Sequence, residues 1–156
     1  ARQRAVAEVE AWVAAARGRA VDRVDIGDLE SERAHALVLS GEGLHGGEVS
    51  GQTWRQATRG SSFGYTLATG GREDLSLLCV VGARDRHRRF DVWVEDTRIE
   101  PPDLDGLAPG LVRTITLAIP AELSRDKAAL TVRFQPRDEW DATTANLFEC
   151  LLVPES

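Results

Sequence analysis

Residues 41–57, GEGLHGGEVSGQTWRQA, gather the side chains best suited to chemistry in this chain. Glu42 and Glu48 are carboxylates, His45 is an imidazole, and Trp54 stands beside Arg55, with glycines at 41, 43, 46, 47 and 51 between them. Such a stretch suits four roles: a catalytic loop, a sugar platform, a phosphate cradle, or the seam where a β-domain closes on itself. A sugar site needs an aromatic face for the ring and Arg, Glu, Asn or His for the hydroxyls. Glu42, His45, Trp54, Arg55, Tyr65 and, farther along, Trp140 offer that set. Against it, Trp54 alternates with core positions, Tyr65 sits between Phe63 and Leu67, and a buried Glu or His often satisfies loop backbone groups.

Other chemistries find less support. No serine stands in a Gly-x-Ser-x-Gly on a strand-to-helix turn. His35, His45 and His87 form neither His-x-His nor His-x-x-x-His, so zinc chemistry has no local framework. Glycoside hydrolysis needs two carboxyls flanking the bond. Glu30, Glu32, Glu42 and Glu48 are available, but with 25 acids in the chain a close pair is expected by chance. Phosphate binding places backbone N–H groups at a helix N-terminus. Here the glycines lead into TWRQA, which reads as strand, and no Gly-Lys-Ser/Thr follows. The basic run ARDRHRRF (83–90) sits at a hairpin tip with Asp85 inside it, and it lacks the aromatic ladder that stacks bases. No catalytic residue, metal or cofactor is expected.

The elements that position these residues follow from patterning. At 156 residues the chain suits one domain large enough for a proper core. Its net charge of -6 argues against nucleic acid. No apolar run approaches the length of a membrane span, and no secretory signal opens the chain. The compartment, cytoplasmic or secreted, stays open. The lack of Met and the Ala1-Arg2 start suit a piece cut from a longer protein, although removal of an initiator Met before Ala leaves the same end. Arginine outnumbers lysine 18 to one, a mark of GC-rich bacterial coding. Cys79 and Cys150 fall in apolar runs and read as buried free thiols.

Val6, Val9, Trp12, Val13 and Ala16 recur at helical spacing, with Gly18 as C-cap. This N-terminal helix or interdomain segment occupies 1–18. It must pack on the rest of the domain or on something missing. From 19 to 156 the period becomes two. Strands are expected at RAVDRVDI, HALVLS, TWRQA, SFGYTLAT, LSLLCVVG, RRFDVWVE, TRIE, TITLAIP, ALTVRFQP and NLFECLLVP, with a turn at 25–28, loops at 41–51, 101–110 and 136–145, and one helical turn at 120–123. The fold class is all-β: an antiparallel two-sheet β-sandwich of jelly-roll or galactose-binding-like type, preceded by one α-helix.

The ordered motifs resemble the C-terminal β-sandwich of bacterial glycoside hydrolase family 127-type proteins, the β-L-arabinofuranosidase-like group. VDRVDIGDLESERAH places Asp28, Ser31, Glu32 and His35 on that domain's opening pattern. Gly41-Glu42, Gly51 with Trp54-Arg55-Gln56-Ala57, SFGYTL, RRFDVWVEDTRI, IPAEL with LTVRFQP, and LFECLLV follow in order. The resemblance spans residues 21–153. It departs at Cys79-Val80-Val81-Gly82, at Asp96-Thr97 and in the loop PRDEWDATTAN.

The resemblance implies a non-catalytic accessory domain, because catalysis in that group belongs to a separate (α/α)6 barrel. The partner is then the protein's own barrel or a second subunit, contacted through an apolar sheet or helix face. Glu32, His35 and Glu42 would hold loops together, Trp54 would anchor, and Arg55 and Arg133 would be paired structural arginines. The alternative is a carbohydrate-binding module that targets the parent enzyme to a glycan. Its candidate contacts are Glu42, His45, Trp54, Arg55 and Trp140, and it predicts a concave surface with an exposed aromatic, Trp140 or Trp93.

Overall fold

The computed structural model describes residues 2–82, 88–102, 104 and 112–155, with the backbone alone over 2–8. Two antiparallel sheets enclose one core, as the alternating strands predict. The six-stranded sheet runs β3 (Leu44–Val49), β4 (Gln52–Ala57), β11 (Asn146–Pro154), β6 (Leu75–Gly82), β9 (Val112–Ala118), and β1 (Asp22–Asp25) pairs with β11 next to β4's contact. The five-stranded sheet runs β2 (Val38–Ser40), β5 (Ser62–Ala68), β10 (Ala129–Pro136), β7 (Phe90–Val94), β8 (Thr97–Ile99).

Alternation decides which side chains fill the space between the sheets, since successive residues of a strand point to opposite faces. Phe63, Tyr65 and Leu67 of β5 and Leu130, Val132 and Phe134 of β10 are buried there. The rings of Phe63 and Phe134 lie 5.3 Å apart. Cys79 and Cys150 are cross-strand partners within the same core, both as free thiols.

Strands β6 and β11 are covered on both faces, which explains their near-continuous apolar runs. Their outward residues Leu78, Val80, Leu151 and Val153 pack under Val13 and Ala16 of α1 (Arg2–Arg19). Burying Val13 contributes about 1.5–3 kcal/mol. Arg17 then clamps α1 to the sheet. Its Nε and one terminal nitrogen donate to the two carboxylate oxygens of buried Glu149 on β11, at 2.8 and 2.7 Å, and Arg23 adds a contact at 3.2 Å. The helix continues past Gly18 to Arg19, whose guanidinium stacks over Trp12 at 5.6 Å.

Local structure differs from expectation in three places. The first strand shrinks to β1 because Ile26 and Gly27 turn away, Gly27 with φ +90°. That turn feeds a short helix, α2 (Leu29–Ala34), in a stretch to which the sequence pattern assigns no element; the Asp28 carboxylate caps it by accepting from the Glu30 and Ser31 N–H groups at 3.1 and 3.2 Å. The glycine-rich run becomes strand β3, paired with β4 around a Ser50-Gly51 turn. The expected helical turn is α3 (Ala121–Ser124). The hairpin tip at 83–87, with His87, and most of the loop at 101–110 lie outside the described residues.

Candidate functional site

Glu32, on α2, is wholly buried between the sheets and fully engaged. Arg55 of β4 donates to both its oxygens, at 2.9 and 2.7 Å, and the Tyr65 hydroxyl of β5 donates at 2.5 Å. Burial alone would raise the Glu32 pKa, but the bonds from Arg55 and Tyr65 outweigh it and hold the carboxyl below its usual range. The Tyr65 phenol is pushed well up by burial and by Glu32. The cluster therefore works as a tie between one strand of each sheet, leaving no lone pair aimed at open space. Beside it, His35 joins Ser31 O (2.6 Å) and the Asp22 carboxylate (2.9 Å), while the other Asp22 oxygen accepts from the Ala68 N–H at 2.7 Å.

The five residues nominated from sequence do not converge. Arg55 points between the sheets to Glu32, to which its Nε and one terminal nitrogen donate. Trp54 and His45 lie on the opposite, outward face of the β3–β4 hairpin, where register pairs Gly47 with Trp54 and His45 with Gln56. Trp54 is half-buried and covers Gly47: a Cβ there would stand 2.7 Å from the indole. Glu42 is exposed at the bend before β3, flanked by Gly41 and Gly43, which are packed against Gly60, Ser61 and Thr58. That close approach makes 41–43 a seam. Trp140 is 84% exposed in the β10–β11 loop.

A different surface gathers recognition chemistry. On the outward face of the five-stranded sheet one row reads Val38, Gly64, Arg133, Trp93, Arg98 across all five strands. The exposed Arg133 guanidinium lies over the half-buried Trp93 ring at 5.2 Å from its centroid. Gly64 has no side chain to rise between Val38 and Arg133; a Cβ there would meet Val132 O at 2.6 Å. The result is a shallow, open groove of about 180 Å³, walled by Trp93, Arg133 and Val38 and edged by Ser62, Thr66 and Thr131. Glu95, at one end, accepts from Thr131 Oγ1 at 2.9 Å and sits 3.4 Å from Lys127.

Two nucleophile-like spacings carry no chemistry. Gly60-Ser61-Ser62-Phe63-Gly64 has the Gly-x-Ser-x-Gly letters, but Ser62 opens strand β5 and no helix follows it. Ser124 and Lys127 stand three apart, yet Ser124 Oγ donates toward carbonyls at 3.3 and 3.5 Å and Lys127 reaches Glu95. Among the described residues no group of three or more His, Cys, Asp or Glu could hold a metal ion. None of the helices described is long and apolar enough to cross a membrane.

Residues 15–153 match DUF6805, a family of unknown function. The chain belongs to this family. No curated protein matches it. Among solved structures, the DUF6805 chain is similar to a family 35 carbohydrate binding module from Clostridium thermocellum, at 8% identity and TM-score 0.54, covering 85% of this chain and 98% of that one. It is also similar to the exo-β-1,3-galactanase of Phanerochaete chrysosporium solved with β-1,3-galactotriose, at 12% identity and TM-score 0.51, covering 75% of this chain but 27% of the enzyme. At these identities the likeness shows the fold: the β-sandwich of carbohydrate-binding modules.

Within this DUF6805 sandwich the groove was only faintly legible beforehand. Trp93 reads as an outward residue because it alternates with Val92 and Val94. Its partnership with Arg133, forty residues later, depends on the β7–β10 register, which no local pattern sets.

Proposed function

We propose that this chain is a non-catalytic carbohydrate-binding β-sandwich whose glycan lies in the groove on the outward face of the five-stranded sheet. One observation carries the reading: Trp93, Arg133, Ser62, Thr66 and Thr131 line a single open groove that Gly64 keeps low. An indole offers a flat apolar surface with a polar edge, and a sugar ring needs such a surface together with hydroxyl and guanidinium partners. The fold shared with carbohydrate-binding modules supports the reading, although fold alone does not assign function. The finer part of the proposal is that the domain serves a glycoside hydrolase of the arabinofuranosidase-like type that its motifs resemble, and brings that enzyme to its glycan.

The test is calorimetric titration of the isolated chain against a panel of plant and bacterial glycans. Binding to at least one class, weakened about tenfold or more (about 1.4 kcal/mol) by Trp93→Ala in a folded variant, supports the groove. Silence across the panel overturns it. A second reading, docking against a catalytic barrel of the same protein, is favoured by edge strand β2, where Val38 is 65% and Leu39 49% exposed. In a protein carrying both parts, Val38→Asp would then raise the protease sensitivity of the junction. No change would count against docking at that edge.

A further inference from the structure

Arg133 differs from the other cations of its sheet face. Arg98 stands 3.6 Å from Asp91, and Arg137 contacts Asp91 at 3.4 Å and Glu100 at 2.8 Å. Lys127 stands 3.4 Å from Glu95. Among the described residues no carboxylate lies within 4.0 Å of the Arg133 guanidinium, which lies over the Trp93 ring at 5.2 Å from its centroid. Both acids nearest the groove are engaged, Asp91 by two arginines and Glu95 by Thr131 and Lys127. Among the described residues, the groove therefore holds one positive charge with no carboxylate paired to it.

Resting on the carbohydrate reading above, we infer that the groove selects an acidic sugar, a uronic acid residue whose carboxylate pairs with Arg133 while its ring rests against Trp93. Geometry favours this division of labour. A guanidinium held over an indole by attraction to the ring still has N–H donors to offer, and those donors match a carboxylate two to two. Gly64, directly across the strand pair from Arg133, keeps the approach to those donors low. Ser62 and Thr66, on either side of Gly64 and facing the same way, supply hydroxyls to the ring. The chain as a whole is acidic, at -6, so it offers no general attraction for a polyanion. Selection must come from the local cation, and with a screening length of about 8 Å at physiological salt it is felt chiefly by a carboxylate in contact.

The experiment compares hexamers of galacturonic acid and of glucuronic acid with the same hexamers whose carboxyls are reduced to alcohols, by calorimetry on the wild-type chain, Arg133→Gln, Arg133→Lys and Trp93→Ala. Thermal unfolding confirms that each variant is folded. For at least one uronide the wild type is expected to bind the acid about five- to tenfold more tightly than its reduced counterpart, the scale of a charge-assisted pair at a half-open site. Arg133→Gln should erase that preference while keeping the weaker binding of the neutral sugar, and Arg133→Lys should keep part of it. Trp93→Ala should weaken both. Equal affinity for acid and neutral forms of both sugars overturns the uronate inference and leaves the groove standing as a neutral-sugar site. No binding of the wild type to any of these hexamers overturns the uronate inference, and silence across the wider glycan panel as well overturns the carbohydrate reading on which it rests.

Discussion

The indole of Trp54 lies over the backbone of its cross-strand partner Gly47, so close that a Cβ at 47 would stand 2.7 Å from Cζ2 and 2.9 Å from Cε2. An aromatic covering a glycine in this way restores the packing that a side-chain-free strand position lacks. Gly47→Ala should therefore lower stability by about 1–3 kcal/mol through overpacking, measured by urea unfolding. The same change in a Trp54→Ala background should cost distinctly less, because the two effects share one contact. Equal costs in both backgrounds would remove the stacking account.

That pair also explains why the stretch around it was misjudged. Glycine weakens a strand on its own account, so GEGLHGGEVSG reads as a loop until Trp54 is seen to fill the space that Gly47 leaves. The two-sheet architecture was legible because β5, β7, β9 and β10 alternate cleanly, and the doubly covered β6 and β11 because their runs are apolar throughout. The helix α2 was not, because six residues carry too little periodicity; Asp28 before it, with its carboxylate on the Glu30 and Ser31 N–H groups, was the available signal. The candidate site was least legible. Trp54 and Arg55 are neighbours in sequence and therefore face opposite sides of their sheet, whereas Trp93 and Arg133 are distant in sequence and share one.

The Glu32–Arg55–Tyr65 cluster predicts unequal losses. Arg55→Ala leaves a buried carboxylate without its counter-charge and should cost about 3–5 kcal/mol, a large share of a domain's total stability. Tyr65→Phe removes one hydrogen bond and keeps the ring, so about 1–3 kcal/mol is expected. Chemical denaturation of the two variants checks the order. If Tyr65→Phe proves the costlier change, the ion pair is not what holds the cluster.

Stability should fall on both sides of neutrality. For Asp22, burial would raise the pKa, but bonds from the Ala68 N–H, His35 and the Arg23 N–H hold it low, as Arg55 and Tyr65 do for Glu32. A lowered folded pKa means the unfolded chain takes up protons first. The stabilisation is then complete at neutral pH and is lost as pH drops below about 4.5. Tyr65 is shifted up by burial first, so the unfolded chain ionises first above pH 10.0 and stability is lost there as pH rises. A melting-temperature profile should form a plateau between these limits. Asp22→Asn should lower the plateau and flatten its acid edge; an unchanged acid edge would remove Asp22 from the account.

Cys79 and Cys150 face each other across β6 and β11 with no exposed surface. Burial pushes the Cys79 thiol up to about 12, and the Cys150 thiol also rises, from burial and then from the neighbouring Cys79. Thiolate, the reactive form, is therefore scarce in the folded chain. A thiol reagent should label neither cysteine in the native state and both after unfolding in denaturant. Labelling that proceeds without denaturant, at the rate of a small exposed thiol, would contradict the burial.

The two candidate tryptophan surfaces make opposite predictions, and the sheet face is favoured over the loop on physical grounds. Trp140 is 84% exposed, and its loop is tied down beside it, by the Arg59–Asp138 pair and by Thr144 bonding with Ala57, at positions that hold the backbone and not the indole. Ordering such a side chain on a glycan costs rotamer entropy of about 0.5–1.5 kcal/mol. Trp93 is already half-buried, flanked by Arg133 and Arg98 across its neighbouring strands, so little freedom remains to lose. Trp140→Ala should leave glycan affinity within about twofold of the wild type, while Trp93→Ala should weaken it about tenfold or more, a difference on the scale of 1.4 kcal/mol. Calorimetry on both variants reads the contrast directly. If the losses are reversed, the glycan sits on the β10–β11 loop, and the groove over Gly64 is not its site.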